Sequence, residues 1–315
     1  MEYSNSLKKQ ITRSMYKQNL LERGLYLLLH KRYANMSEIN NIQYDCRGKR
    51  TFLDIIQSKS DCTAKKPLFI YIHGGGWVSG FRQARKFYCR YWANKGYVCA
   101  NIGYDYALDA THPEHIRQIF KGIAYVLQNA EEYGIDTGRV VIAGESAGGY
   151  FAALAAAVST HKALYSLLDI PFAYADSFKI DACVLLSGIY DPVRALDTGF
   201  PDMEMFTQAF CGMSAEELRK ENGSSLQKRL SPFSYADAHF PPSFIIGSKK
   251  DLLLSESEAL HDALNRAGVK NELYICTGIN GVHAGGLACE IGTGKSAAQK
   301  AELFLQEVFT AKLTV

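Results

Sequence analysis

The sequence lacks the features that mark several large classes of protein. Its 315 residues contain no apolar run long enough to cross a bilayer, because Glu22, Arg23 and Gly24 interrupt the apolar stretch near the N-terminus. No block of lysine and arginine suggests a nucleic-acid groove, and the net charge at pH 7 is only +3. No internal repeat or low-complexity segment is present. We therefore expect neither a membrane-spanning protein nor a nucleic-acid partner.

The cysteines indicate neither a disulfide framework nor a zinc site. The eight cysteines include no C-x-x-C pair and match no zinc-binding spacing. The N-terminus also has no apolar core of a secretion signal. The sequence thus predicts reduced thiols in a cytoplasmic protein, with no metal site and no cofactor.

The composition favours an ordinary globular protein, since 47% of the residues are hydrophobic and 21% are charged. Short apolar runs alternate with amphipathic segments, which predicts an α/β fold with a mostly parallel central sheet flanked by helices. Residues 42–56 predict a hairpin with its turn at 47–49. We expect a single domain over residues 1–315, because α/β enzymes of this length often form one.

The most informative feature is the run GESAGG at residues 144–149, which follows the apolar residues 140–143. A strand, a G-x-S-x-G turn and a helix of small residues are the parts of a nucleophile elbow. In such an elbow the chain turns sharply and lifts the serine hydroxyl clear of the backbone. The helix N-terminus then directs backbone N–H groups toward the serine. The pattern predicts Ser146 as a nucleophile, and the alternative is a capping serine in a strand-to-helix turn.

A second motif, HGGGW at residues 73–77, follows a short apolar run. Successive glycines expose backbone amides that can stabilise the oxyanion of a tetrahedral intermediate. In such a site one donor comes from the residue after the nucleophile, here Ala147, and the others come from the glycine loop, here Gly75 and Gly76. Trp77 follows these glycines and is expected to line the acyl pocket of the substrate site. Its alternative role is to pack beneath the loop.

Together, HGGGW followed by GESAGG resembles the α/β-hydrolase superfamily. Within it, the chain is similar to the hormone-sensitive-lipase-like and feruloyl-esterase-like carboxylesterases, with kynurenine formamidases as near relatives. The resemblance covers roughly residues 66–309. It implies an α/β-hydrolase fold with a small helical cap, and a triad in the order serine, acid, histidine. Ala107 stands where these esterases usually have an arginine, which puts a supporting salt bridge from that position in question.

The family order points to the acid and the base. The acid is expected after the next-to-last strand, predicted at 243–247, and Asp251 follows that strand. The histidine is expected after the last strand, predicted at 272–276, and the next loop carries His283. Asp251 has an alternative interpretation as a helix N-cap. Asp191 is the alternative acid, although its Asp-Pro sequence is typical of a turn.

The other histidines are weaker candidates for the base. His73 precedes the serine and adjoins the glycines, so it is expected to brace the oxyanion loop. Six histidines fall in predicted helices or their flanks and are expected to be surface or packing residues: His30, His112, His115, His161, His239 and His261.

Two segments are expected to form the cap. Residues 1–40 predict a basic amphipathic helical segment that packs over its own domain, the alternative being a helix that lies on a membrane surface. Residues 191–242 form an irregular, mostly helical insertion that is a candidate lid. Its large apolar side chains either line the substrate site or pack in the core: Phe200, Met203, Met205, Phe206 and Phe210.

These motifs predict a serine hydrolase that cleaves short-chain carboxylic esters through a Ser-His-Asp triad and an acyl-enzyme intermediate. A small ester is the expected substrate, and the sequence does not determine the oligomeric state. Two alternatives stay open. One is an arylformamidase, which would use the same triad on an amide. The other is a non-catalytic ligand-binding protein that keeps the fold.

Overall fold

The structure, a computed structural model, describes residues 3–29, 33–59, 64–220 and 224–313, so the predictions for His30 and Cys62 lie outside the described residues. The strands are β1 (Met36–Gln43), β2 (Phe52–Ser58), β3 (Lys66–Ile72), β4 (Val98–Ile102), β5 (Ile135–Glu145), β6 (Ala182–Leu186), β7 (Ser243–Ser248) and β8 (Asn271–Cys276). The helices are α1 (Asn5–Leu29), α2 (Lys86–Asn94), α3 (Glu114–Gln128), α4 (Ala147–Thr160), α5 (Ala163–Leu167), α6 (Pro192–Ala195), α7 (Met203–Cys211), α8 (Ala215–Lys220), α9 (Ser225–Leu230), α10 (Leu254–Arg266) and α11 (Gly292–Leu313). Short 3-10 turns lie at Arg82–Arg85, Pro232–Tyr235, Gly278–Asn280 and Gly285–Leu287.

The strands form one sheet with the order β1-β2-β4-β3-β5-β6-β7-β8. β2 pairs antiparallel with both β1 and β4, and every other pairing is parallel. The predicted α/β fold with a mostly parallel central sheet is therefore confirmed. The carboxyl ends of β3, β5, β6, β7 and β8 meet at one edge of the sheet, where open α/β sheets bind their ligands.

Both faces of the sheet are buried, which explains the continuous apolar runs in the central strands. Along β3, Leu68, Ile70 and Ile72 contribute to a core that also contains residues of α3 and α4. Phe69 and Tyr71 point to the other face, into a core shared with α2 and α11. Two layers of helices thus hold the sheet edge that carries the sequence motifs.

The predicted hairpin at 42–56 is confirmed, since β1 and β2 pair antiparallel from Met36 opposite Ser58 to Gln43 opposite Phe52. The first strand is longer than predicted and begins at Met36. The prediction that the helical segment extends to residue 40 is therefore wrong. Residues 36–39 pair with β2, and the hydrogen bonds gained in the sheet outweigh any local preference for a helix.

The N-terminal segment forms one helix, α1, that contacts the rest of the domain. Ile11 is fully buried in the main core. The Tyr3 hydroxyl donates to the Ala209 carbonyl at 2.7 Å, and Asn19 Oδ1 accepts from the Gly80 amide at 3.2 Å. These contacts attach α1 to α7 and to the loop that follows the HGGGW motif. Among the described helices, none has the length and hydrophobicity needed to cross a bilayer.

The insertion between β6 and β7 is mostly helical within its described residues, as predicted for 191–242. It contains α6 to α9 and one 3-10 turn. Met203, Phe206 and Phe210 are buried, and Phe200 and Met205 are partly buried against the same core. The insertion therefore packs its large apolar side chains toward the sheet edge rather than into solvent.

Candidate active site

Ser146 lies in a sharp turn between β5 and α4, so the predicted strand–turn–helix is present. Its backbone has φ 54° and ψ −123°, a conformation that is rare outside glycine. The following helix packs closely: a Cβ added at Gly148 would lie 2.1 Å from the Ile72 carbonyl oxygen. The Ser146 amide donates to the Leu186 carbonyl at 2.9 Å. Glycine at 148 and this hydrogen bond hold the serine at the carboxyl edge of the sheet.

The HGGGW loop follows β3 at the same edge. Gly75 has φ +122°, and a Cβ added there would lie 2.1 Å from the Ser79 carbonyl oxygen, so only glycine fits. Gly76 also has positive φ, at +57°. In the part of the chain that the structure describes, neither the Gly75 amide nor the Gly76 amide donates a hydrogen bond. Ala147 is the first residue of α4, where backbone amides have no intrahelical acceptor.

A buried ionic network joins the two motifs. Glu145 Oε1 accepts from the Gly74 amide at 2.7 Å and from Arg85 Nε at 2.5 Å. The Tyr71 hydroxyl donates to the other carboxylate oxygen. The Arg85 and Glu145 side chains are only 6% and 2% exposed. The network fixes the start of the HGGGW loop to the residue before Ser146.

The sequence did not identify Arg85, which lies in the 3-10 turn before α2. The departure at Ala107 had put a supporting salt bridge in question, and Ala107 is a buried residue whose amide donates to the Trp77 carbonyl at 2.8 Å. A buried ion pair is nevertheless present, because Arg85 reaches Glu145 from another part of the chain. No local pattern marks that contact.

Replacing Glu145 with glutamine is expected to lower the free energy of unfolding by about 3–5 kcal/mol, because Arg85 then loses its buried counter-ion. The matched control is Glu131→Gln, which removes an exposed ion pair with Lys65 and should cost less than about 1 kcal/mol. Urea unfolding of both variants measures the difference. Equal losses in the two variants would show that the buried pair does not hold the loop.

His73 supports the loop from below. Its ring stacks on Tyr104 with centroids 4.5 Å apart, and the Tyr104 hydroxyl donates to the His73 carbonyl at 2.8 Å. Burial lowers the pKa of His73 to about 4, so the ring is neutral near pH 7. Its Nδ1 lies 2.8 Å from the Gly74 carbonyl oxygen. These contacts agree with the expectation that His73 braces the loop.

Asp251 and His283 come together as a hydrogen-bonded pair. Asp251 follows β7, His283 follows β8, and His283 Nδ1 lies 2.9 Å from Asp251 Oδ2. The Asp251 side chain is fully buried, whereas the His283 side chain is 32% exposed. Burial opposes ionisation of Asp251, but the His283 hydrogen bond and charge, the Leu253 amide and the Ser187 hydroxyl together hold its pKa below the usual range. The carboxylate is therefore ionised when it holds the imidazole.

The end of β6 connects this pair to the Ser146 turn. Leu186 accepts from the Ser146 amide, and the adjacent Ser187 Oγ accepts from the Ala284 amide at 3.3 Å. Within the described ranges, the Ser146 hydroxyl makes no hydrogen bond to the His283 ring. In free enzymes this contact is often long and shortens when substrate binds. Ser187, which the sequence did not single out, thus positions the histidine loop.

The Asp191 carboxylate caps the N-terminus of α6. Its Oδ1 accepts from the Val193 amide at 2.9 Å and from the Arg194 amide at 3.3 Å, and its Oδ2 accepts from Gln227 Nε2 at 2.9 Å. Within the described residues it makes no hydrogen bond to His283. The turn that the Asp-Pro sequence predicted is therefore present, and of these two aspartates it is Asp251 that contacts His283.

Trp77 lies at the end of the HGGGW loop. Its ring is fully buried, stacks on Phe210 with centroids 4.5 Å apart, and meets Tyr150 edge to face. A direct role for Trp77 in substrate binding stays a prediction. Two side chains of the insertion reach the loop and the histidine: a Cβ added at Gly76 would lie 3.1 Å from the Phe206 ring, and Phe200 meets His283 edge to face at 4.8 Å. The sequence had named Phe200 and Phe206 as side chains of the insertion that either line the substrate site or pack in the core.

Potential metal ligands lie elsewhere. Among the described residues, the group of three that could hold an ion is His161, Asp237 and His239, at the opposite end of α4 from Ser146. The seven cysteines within the described ranges are free thiols. The site at the sheet edge is therefore built from a serine, a histidine–aspartate pair and backbone amides.

Comparison with known proteins is consistent with this geometry. The BD-FAE family model matches residues 53–264. Esterase LipQ of Mycobacterium tuberculosis is 30% identical over 250 residues, which cover 78% of this chain and 56% of LipQ. The probable carboxylic ester hydrolase LipM of the same organism is 28% identical, with 74% and 52% covered. The chain thus spans about half the length of these curated relatives.

Solved structures match nearly the whole chain. Esterase B from Lactobacillus rhamnosis superposes with a TM-score of 0.84 at 19% identity, covering 98% of this chain and 96% of that one. The hyperthermophilic esterase of Pyrobaculum calidifontis gives a TM-score of 0.72 at 19% identity, covering 98% and 99%. The expected α/β-hydrolase fold is confirmed by this likeness.

Proposed function

Since this chain belongs to the BD-FAE family, we propose that it hydrolyses carboxylic esters, with Ser146 as the nucleophile, His283 as the base and Asp251 as the acid. The single observation that carries the proposal is the 2.9 Å contact between His283 Nδ1 and Asp251 Oδ2 at the sheet edge that also carries the strained Ser146 turn. That arrangement leaves His283 Nε2 as the proton acceptor. The names of LipQ and LipM, which describe ester hydrolases, support the same reaction class.

The mechanism follows from the roles of these groups. Ser146 Oγ attacks the ester carbonyl while His283 Nε2 takes its proton, and the Asp251 carboxylate stabilises the resulting imidazolium. The tetrahedral intermediate collapses to the acyl-enzyme, and His283 returns the proton to the departing alcohol. Water then attacks the acyl group, again with His283 as base, which releases the acid and restores Ser146.

The negative oxygen of each tetrahedral intermediate needs preorganised donors. The Ala147 amide at the N-terminus of α4 and the Gly75 and Gly76 amides of the loop are suited to this role. The Glu145 network supports it, because the carboxylate that accepts from Gly74 also adjoins the nucleophile. Loss of one such donor typically costs about 10²–10³ in turnover.

The insertion 191–242 and the N-terminal segment are the proposed cap of this single domain. The insertion carries Phe200 and Phe206 to the histidine and to the oxyanion loop. Helix α1 contacts the insertion, with Ser14 Oγ 3.4 Å from Asp202 Oδ2. These contacts support a cap that narrows the entrance above Ser146.

The proposed reaction is tested by labelling with a fluorophosphonate and by assay on p-nitrophenyl butyrate. A serine hydrolase reacts with the probe at Ser146 and turns over the ester. A folded protein that does neither would be the non-catalytic binding protein that the sequence left open. An aryl formamide included in the same assay separates the arylformamidase alternative, because only that enzyme would prefer the amide.

The acyl preference is proposed to be short, about two to six carbons, because buried aromatic rings lie directly against the reacting groups. A structure of Lactobacillus rhamnosis esterase B, with a TM-score of 0.83, is described as inhibited by a C4-C4 SN3 tributyrin phosphonate. We expect initial rates on p-nitrophenyl esters to be about tenfold or more higher for butyrate than for palmitate. A series of esters from acetate to palmitate, with and without an emulsified interface, measures this.

Phe206→Ala should move the optimum toward longer acyl chains, because the ring at Gly76 is removed. Phe304→Ala is the matched control, since Phe304 is equally buried but lies in the core on the other face of the sheet. A wild-type rate that peaks at palmitate and rises at the interface would mark a lipase and contradict the proposed preference.

A further inference from the structure

Two imidazoles and one carboxylate lie together at the C-terminal end of α4. His161 is the C-cap of that helix, and Asp237 and His239 lie between the Pro232–Tyr235 turn and β7. One ligand atom from each residue lies within 4.8 Å of the others. His161 Nε2 is 2.8 Å from Asp237 Oδ2, and His239 Nδ1 is 3.3 Å from Asp237 Oδ1. We propose that this group, the His161 cluster, binds a divalent transition-metal ion such as Zn²⁺.

The surroundings of His161 determine which ring nitrogen faces the carboxylate. Its Nδ1 lies 3.2 Å from the Ala157 carbonyl oxygen, which can only accept. Nδ1 also lies 3.1 Å from the Thr160 hydroxyl, which can accept a hydrogen bond from it. In the tautomer with the hydrogen on Nδ1, the lone pair of Nε2 faces Asp237, 2.8 Å away, and a metal ion would remove the repulsion between these two acceptors. Histidine ligands commonly donate their second ring N–H to a backbone carbonyl, and the Ala157 carbonyl is placed to accept it.

Asp237 lies between the two imidazoles. Its Oδ1 accepts from the His239 amide at 2.8 Å, which fixes the orientation of the carboxylate. The carboxylate supplies the negative charge of the ligand set.

The C-terminal end of α4 also favours a cation. The last turn of α4 carries partial negative charge on its unpaired carbonyls. Lys162, the next residue, brings an opposing charge, but its ammonium group donates to the Ala175 and Phe178 carbonyls. His239 lines a surface cavity of about 780 Å³, so an ion can reach the cluster from solvent.

The donor types select the metal. Two imidazoles and a carboxylate form a borderline set that Zn²⁺ prefers, whereas Mg²⁺ and Ca²⁺ prefer oxygen ligands alone. Three protein ligands leave a fourth position for water. The ion would join the end of α4 to the chain that leads from the insertion into β7. It would lie too far from Ser146 to act on the same reaction, because the 14 residues of α4 separate the two, about 20 Å of helix.

The test uses the untagged full chain, freed of metal with a chelator and titrated with ZnCl₂. Calorimetry should give one saturable site, and Zn²⁺ should raise Tm by a few degrees, about 2–5 °C, because it binds the folded chain only. Mg²⁺ and Ca²⁺ should do neither. The exposed His239 is the ligand to change first, since His239→Ala leaves the core intact and should weaken Zn²⁺ binding by about tenfold or more.

His261→Ala is the matched control, because His261 is a partly buried histidine outside the cluster that contacts Asn271. It should bind Zn²⁺ as the wild type does, and His161→Ala should lose binding as His239→Ala does. Absence of a saturable Zn²⁺ site overturns the proposal. So does unchanged binding in folded His239→Ala and His161→Ala proteins, which would assign the ion to His283 or to a thiol. Ester hydrolysis should survive chelation, so this outcome is separate from that of the proposed function.

Discussion

Replacing Ser146 with alanine is expected to lower kcat for p-nitrophenyl butyrate by about 10⁴–10⁶-fold without unfolding the protein. In the proposed mechanism the hydroxyl forms the acyl-enzyme, so its removal leaves only the proposed oxyanion donors and the binding contacts. The fold should be retained because alanine keeps Cβ and the backbone hydrogen bond from the Ser146 amide to Leu186. Stopped assays at high enzyme concentration, with circular dichroism of the same sample, measure both quantities.

Ser159→Ala is the matched control for that substitution. Ser159 is a buried serine at the C-terminal end of α4, away from Ser146, and its hydroxyl donates to the Ala156 carbonyl at 2.8 Å. Its turnover should stay within a few-fold of the wild type. A folded Ser146→Ala protein with near-normal turnover, or one still labelled by the fluorophosphonate at the same peptide, would remove Ser146 from the mechanism.

Replacing Asp251 with asparagine is expected to lower turnover by about 10⁴-fold, because the amide holds His283 in the wrong tautomer and does not stabilise the imidazolium. Asp191→Asn is a closely matched control. The two aspartates are about equally buried, since 6% of the Asp251 residue and 5% of the Asp191 residue are exposed, counting backbone and side chain together. Each also accepts a hydrogen bond from the backbone amide two residues later. The turnover of Asp191→Asn should change much less. The reverse ranking would move the acid of the triad to Asp191.

The same pair predicts a pH dependence of stability. The folded-state pKa of Asp251 is depressed, so its contribution to the free energy of unfolding is fully present above the unfolded-state pKa of about 3.9. That contribution is lost as pH falls through the lower, folded-state pKa. Asp251→Asn should therefore differ most from the wild type in urea unfolding above about pH 4, and the two should converge in stronger acid. A difference that grows on acidification would contradict the assignment.

The sequence by itself determined the sheet and the order of the motifs. Continuous apolar runs in β3, β5, β6 and β7 indicated strands buried on both faces, since a parallel sheet covered by helices leaves no polar face. The turn at Ser146 could also be predicted from the sequence. The helix after it packs so closely against Ile72 that only glycine fits at position 148, and this glycine is part of the motif. Such local constraints act within a few residues, so their pattern is visible in the chain.

Residue order also gave the pairing of His283 with Asp251, because the carboxyl ends of neighbouring parallel strands meet at one edge of the sheet. The hydrogen bond between these two side chains agrees with that expectation. The end of the N-terminal helical segment was predicted wrongly, because the pairing of Met36 with Ser58 depends on a strand partner rather than on local preference.

Only the tertiary structure decided which distant side chains support the site. Arg85 reaches Glu145 across 60 residues of sequence, and Phe206 of the insertion meets Gly76 of the loop. His161 and Asp237, 76 residues apart, meet at the far end of α4. Such contacts depend on the paths of loops and on the packing of helices against both faces of the sheet, and those paths have no periodicity in the sequence. Short motifs therefore encoded the residues of the proposed site, whereas the packing of the whole domain set the buried side chains that support them.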